Sequence, residues 1–135
     1  MKEIELFTDG SCRPNPGPGG WAYILKYGDV EKEDYGGEQE STNNRMELTA
    51  VIQGLSAIKQ PCIVRLYSDS EYVVEGIKRW MHNWALNGWK KNGDLWKEIY
   101  KLCKIHDVQP VWVQSHNGHT YNERCDRLAK AATWT

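Results

Sequence analysis

The chain has 135 residues, 40% of them apolar and 26% charged, with 12 glycines, 5 prolines and a formal net charge of −1. That length suits one domain of ordinary size, which buries about two thirds of its unfolded surface and needs neither disulfides nor a structural metal to hold a core. The composition excludes collagenous, coiled-coil and wholly disordered chains, and no apolar run is long enough for a membrane span.

The N-terminus, Met1-Lys2-Glu3-Ile4-Glu5-Leu6, is charged and alternating, with no signal-peptide apolar block behind it, which points to a cytoplasmic protein. Period-two alternation over residues 3–7 predicts a first strand, ended by an Asp9-Gly10 turn. Residues 12–20 are rich in proline and glycine and read as a rigid loop. Residues 21–27 form a second, apolar strand, followed by a Gly28-Asp29 turn and a polar third strand near 30–35, so the three make an antiparallel meander. Ser41-Thr42-Asn43-Asn44 is a helix-start cluster, and Leu48, Val51, Ile52, Leu55 and Ile58 give a helix that closes before Pro61.

Residues 62–67 predict a fourth strand ending in Ser68-Asp69-Ser70. A second helix runs through Val73, Ile77, Trp80 and Trp84, and a third opens at Asp94 with Leu95, Ile99 and Leu102 inward. Residues 108–113 are a fifth strand, 114–121 a polar loop, and 123–132 a last helix capped by Asn122. Helical crossovers after the meander require an α/β fold with a mixed, partly parallel sheet.

The charge is unevenly placed. Residues 1–40 hold nine acids against four bases, whereas residues 78–104 hold seven bases (Lys78, Arg79, Lys90, Lys91, Lys97, Lys101, Lys104) against Asp94 and Glu98. Trp80, Trp84, Trp89 and Trp96 are interleaved with those cations, the combination used to stack bases and meet phosphates, although core packing would place indoles at the same spacing. The four cysteines, Cys12, Cys62, Cys103 and Cys125, are widely and irregularly spaced and read as free thiols.

Two strands end alike, in Thr8-Asp9-Gly10-Ser11 and Ser68-Asp69-Ser70. An Asp at a strand end is commonly a turn-former, but if the two strands are parallel neighbours, Asp9 and Asp69 face one cleft beyond their carboxyl ends, where open α/β sheets bind ligands. Glu47 shares a helix face with Ala50, Val51, Gly54 and Ile58, so it points inward and needs a cation. Asp126 lies on the side of its helix opposite Arg124 and Arg127 and can join them or remain a surface acid. Carboxylates without CxxC or HExxH suit a hard cation such as Mg²⁺. His116 and His119 flank Asn117-Gly118, where an imidazole can carry protons, and a zinc site of His116, His119 and Cys125 is the rival reading.

Thr8-Asp9-Gly10-Ser11, Asn15-Pro16-Gly17-Pro18-Gly19-Gly20, Thr42-Asn43-Asn44-Arg45-Met46-Glu47-Leu48, Ser68-Asp69-Ser70, Trp80-Met81-His82-Asn83-Trp84, Asp94-Leu95-Trp96 and His116-Asn117-Gly118-His119 through Asn122-Glu123-Arg124-Cys125-Asp126 follow one another across nearly the whole chain. In that order they resemble the free-standing, bacterial-type ribonuclease H type 1 family. The resemblance implies a single domain over residues 1–135 with a five-stranded mixed sheet of order 3-2-1-4-5, strand 2 antiparallel to the rest. It implies an endonuclease that cuts the RNA strand of RNA–DNA hybrids by a two-metal mechanism, leaving 5′-phosphate and 3′-hydroxyl ends. Two Mg²⁺, or Mn²⁺, would be held by Asp9, Glu47, Asp69 and Asp126, with His116 as a mobile catalytic histidine. Asn15, Asn43 and Asn44 would meet the RNA, Thr42 and Asn92 a DNA phosphate, and Tyr72, Trp80 and Trp84 the DNA-strand channel. A monomer without membrane attachment is the family's expectation.

Some positions depart from the pattern. Glu71 places a negative charge near the RNA where many relatives have an amide, Glu40 stands where some have a basic contact, and Ala85-Leu86-Asn87 lacks the basic run of the family's protrusion. Other readings are an idle hybrid-binding module, a ribonuclease H domain from a reverse transcriptase, and a fold relative that cuts or joins DNA. The four carboxylates oppose the first, Met1 directly before strand 1 the second, and the asparagines before Glu47 the third.

Overall fold

The computed structural model describes residues 1–114 and 120–133. Strands β1 (Glu3–Cys12), β2 (Gly17–Tyr27) and β3 (Val30–Ser41) are followed by α1 (Asn43–Ser56), β4 (Ile63–Ser68), α2 (Glu71–Glu75), a π-helical turn (Gly76–Trp80), α3 (Met81–Asn87), α4 (Gly93–Ile105), β5 (Asp107–Trp112) and α5 (Thr120–Ala131). The sheet order is β3-β2-β1-β4-β5. β2 runs antiparallel to β1 and β3, while β1, β4 and β5 are mutually parallel, as the sequence predicts.

Side chains of a strand alternate between faces, so neighbouring apolar residues serve different layers. Leu6, Tyr23 and Leu25 join Leu48, Val51 and Leu55 of α1 and Trp96 and Ile99 of α4 in the larger core. Phe7 and Ile24 point the other way and pack with Cys125 of α5, where Phe7 also stacks between Tyr67 and Tyr121 at 4.9 and 4.8 Å. Arg124 bonds Glu31 and Glu33 of β3, and the Tyr121 hydroxyl donates to Glu31 at 2.6 Å, which fastens α5 across the meander. Arg124 is therefore spent in ion pairs, while Arg127 stays exposed. All four cysteines are free. No described helix is long and apolar enough to cross a membrane.

Several expectations need correction. Asp9-Gly10 is not a turn: β1 continues to Cys12, with Asp9 opposite Ala22 and Gly10 opposite Trp21. Gly10 serves close packing, since a Cβ there would lie 2.3 Å from the backbone nitrogen of Glu47. The glycine-rich segment is accordingly only partly loop, because β2 begins at Gly17, and β3 extends to Ser41.

The second predicted helix is interrupted by the π turn. A Cβ on Gly76 would stand 2.1 Å from the Trp96 ring, and beyond this wider turn Met81 takes the buried position while Trp80 is turned outward, 42% exposed. Of the four indoles interleaved with the cations, Trp96 is fully buried, so for it core packing is the reading that holds. Asn122 does not cap α5, which starts at Thr120; its amide instead donates to the Tyr67 carbonyl at 3.4 Å and ties the helix to β4.

Candidate active site

The parallel pairing of β1 and β4 ends at Phe7 opposite Tyr67, and two residues further along each chain stand Asp9 and Asp69. Thr42 caps α1 by accepting from the Arg45 amide at 3.2 Å, and one turn later Glu47 faces β1 across the gap left by Gly10. Ser70 caps α2 by accepting from the Val73 amide at 3.2 Å, and its hydroxyl also reaches the Glu47 carboxylate. The Trp112 indole donates to the Asp69 carbonyl at 3.1 Å. Asp126 arrives on α5 with Lys130, whose ammonium lies 3.0 Å away.

Asp9, Glu47, Asp69 and Asp126 thus come from four separate elements to line one cavity of about 440 Å³, whose rim includes Asn15, Asn43 and Lys130. Burial, with Asp69 and Asp126 close by, holds the Asp9 carboxyl well above the ordinary carboxylate range. Burial also pushes Glu47 up to about 7, opposed by the Ser70 hydrogen bond. An all-oxygen donor set that cannot comfortably hold its own negative charge fits a hard divalent cation. Among the described residues no three Asp, Glu, His or Cys side chains form a ready-made cage, so such an ion would complete its shell with water or substrate oxygens.

The expected RNA-facing residues lie beside this cavity. The Asn15 side-chain carbonyl accepts from the Asn43 backbone nitrogen at 3.1 Å, and the Asn43 side-chain carbonyl accepts from the Cys12 backbone at 2.7 Å, which joins the loop, β1 and α1. Asn44 is exposed next to them, as is Glu71 at the start of α2. On the other flank, Asn92 stands before α4 in a left-handed conformation (φ 62°). Its amide donates to the Tyr72 hydroxyl at 3.3 Å, and the Trp96 indole donates to the same oxygen at 2.9 Å. Tyr72, Trp96, Trp84 and Trp80 follow one another in ring contact, with only Trp80 exposed. Thr42 and Asn92 make no direct bond but are connected through Arg45. His116 and His119, and with them the rival zinc site, lie outside the described residues. Glu40 is exposed on β3.

Sequence reasoning missed Lys130, Arg45 and Ser70. The four-residue spacing of Asp126 and Lys130 was a visible signal for the first. The Arg45 contacts join residues distant in sequence and left no local sign.

The ribonuclease H family model matches residues 1–133. A ribonuclease H of Hydrogenovibrio crunogenus is 55% identical over 98% of this chain and 96% of its own length. One of Rhizobium meliloti is 53% identical over 96% and 90%. Among solved structures, LC9-RNase H1, described as a type 1 enzyme with the type 2 active-site motif, superposes with a TM-score of 0.91 at 33% identity, covering 98% of this chain and 72% of its own. LC11-RNase H1, solved with an RNA/DNA hybrid, shares the fold at 21% identity and a TM-score of 0.74, over 96% of both chains. With a family match along almost its entire length, this chain belongs to the ribonuclease H family, in its type 1 branch.

Proposed function

We propose that the chain is an endonuclease that hydrolyses the RNA strand of RNA–DNA hybrids, leaving 5′-phosphate and 3′-hydroxyl ends. The observation that carries this reading is the convergence of Asp9, Glu47, Asp69 and Asp126 on one cavity, in a chain of this family. These four would hold two Mg²⁺, with Mn²⁺ as an alternative, supplying an activated water and charge stabilisation for the leaving 3′ oxygen. The chain's own contribution is placement. Ser70 orients Glu47, and Trp112 steadies the backbone of Asp69. Asn15, Asn43 and Asn44 would read 2′-hydroxyls in the wide minor groove, which distinguishes RNA from DNA without reading base sequence.

Asn92 and Thr42 would contact a phosphate of the DNA strand, with Tyr72, Trp80 and Trp84 lining its path. Glu71 would stand near the RNA, where its charge would lower affinity. His116 would move a proton to or from the reacting phosphate. Residues 1–135 would work as one catalytic domain, a monomer in the cytoplasm.

The test is cleavage of one hybrid with each strand end-labelled separately, in Mg²⁺, in EDTA, and with Asp9→Asn. RNA-strand cleavage lost in both controls supports the reading. Binding without cleavage in Mg²⁺ or Mn²⁺ would replace it with an idle hybrid-binding module.

A further inference from the structure

Arg45 lies in the first turn of α1, three residues after Thr42 and two before Glu47, yet its guanidinium points away from the carboxylate cavity. It makes a two-pronged ion pair with Asp94 of α4, at 3.0 and 2.7 Å, and donates to the Asn92 carboxamide oxygen at 3.3 Å. An arginine can only donate, so this contact fixes which end of the Asn92 carboxamide is oxygen and turns the nitrogen to the Tyr72 hydroxyl. One Asn92 amide hydrogen is then engaged with Tyr72 and the other remains for an incoming acceptor. The Tyr72 oxygen already receives Asn92 and Trp96, so its own proton is also left to give. The left-handed backbone of Asn92 and the fully buried Trp96 ring leave little freedom behind this arrangement.

We infer that Arg45 is a positioning residue: anchored by Asp94, it orients Asn92 toward a DNA phosphate and locks that contact to the same helical turn that carries Glu47. The inference rests on the reading of Asn92 as a DNA-phosphate contact and adds a function to it. Through Arg45, the register of the DNA strand is measured from α1, the helix that also contributes to the cutting site, so the two strands are held at a fixed offset. A flexible point charge such as lysine could pair with Asp94 but could not hold both Asp94 oxygens and the Asn92 oxygen with one rigid planar group.

The experiment scans single neutral methylphosphonate linkages along the DNA strand of a hybrid and measures kcat and KM for wild type, Asn92→Ala, Arg45→Gln, Arg45→Lys and Asp94→Asn, with thermal midpoints recorded for each. Wild type should lose roughly tenfold in kcat/KM at one linkage, the scale of a hydrogen bond to a charged group, and Asn92→Ala should be insensitive there. Arg45→Gln and Asp94→Asn should reduce the penalty at that linkage below about threefold, through KM rather than kcat, with Arg45→Lys between them and wild type. If Arg45→Gln does not fold, Asp94→Asn, which leaves the arginine in place and removes its anchor, decides alone. If Asn92→Ala keeps the wild-type penalty, or wild type shows none, the phosphate reading of Asn92 fails and the inference with it. If Asn92→Ala loses the penalty while Arg45→Gln and Asp94→Asn retain it in full, the positioning inference alone is overturned.

Discussion

The Lys130 ammonium lies 3.0 Å from Asp126, at the rim of the cavity shared with Asp9, Glu47 and Asp69, so the chain carries a cation of its own beside the four acids. An ammonium there offsets part of their mutual repulsion and competes with an incoming ion. Lys130→Met should therefore bind Mg²⁺ several-fold more tightly in the absence of substrate, by calorimetric titration. Unchanged or weaker binding would show that the lysine does not share the ion's place.

Asp9→Asn should abolish turnover and raise the thermal midpoint of the metal-free protein, because the amide costs less to bury than a carboxylate beside Asp69 and Asp126. Glu47 gives the pH dependence its sign. Its pKa is raised from 4.5 to about 7 in the folded protein, so the unfolded chain releases this proton first as the pH rises. Stability of the metal-free protein then falls between about pH 4.5 and 7, by at most about 3 kcal/mol from this group, and Asp9 extends the fall upward. Denaturant midpoints across this range should show the decline, and added Mg²⁺ should remove most of it. A flat profile would contradict the burial of these two acids.

For His116→Ala the expected result is a partial loss of kcat that varies with pH, since a proton carrier can be replaced in part by water or buffer. A pH–rate series compared with Asp9→Asn makes the distinction: a loss equally complete at every pH would mark the histidine as an ion-holding residue.

The segment Ala85-Leu86-Asn87 leaves Leu86 86% exposed, on the same stretch of chain as the exposed Trp80. Replacing it by Lys-Lys-Arg should tighten hybrid binding and steepen the fall of affinity with salt by roughly one unit of log–log slope for each phosphate newly contacted. Anisotropy titrations over about 50–200 mM salt would register both effects. An unaltered slope would place the segment away from the nucleic acid.

Gly76→Ala tests the packing behind the π turn. Its Cβ would fall 2.1 Å from the fully buried Trp96 ring, so something must shift, and overpacking of this kind costs about 1–3 kcal/mol. Urea unfolding should show that loss, and a neutral result would mean that the turn relaxes to an ordinary helix without strain.

Much of this arrangement is legible in the order of the amino acids alone. Leu48, Val51 and Leu55 mark α1 because one face of that helix meets a sheet, and Asp9 and Asp69 mark the cavity because the parallel pairing of β1 and β4 stops two residues before each. Legibility fails where a distant contact overrides a local signal. Asp9-Gly10 has the composition of a turn, yet α1 needs the space that the glycine leaves, and the strand runs on. The π turn likewise falls where Gly76 meets the Trp96 ring of another helix, and beyond it Trp80 leaves the predicted apolar face. Arg45 reads locally as one more helix-surface base, since its partners Asn92 and Asp94 lie at the start of α4.

Asp126 sits on α5, which follows every strand of the sheet and is gripped through Arg124 by Glu31 and Glu33 of the early meander. Proteins open locally as well as globally, in contiguous units. Undocking of α5 alone would remove Asp126 from the cavity while Asp9, Glu47 and Asp69 stay on β1, α1 and the segment after β4, so the grip of Arg124 on the meander is also a grip on the fourth carboxylate of the site.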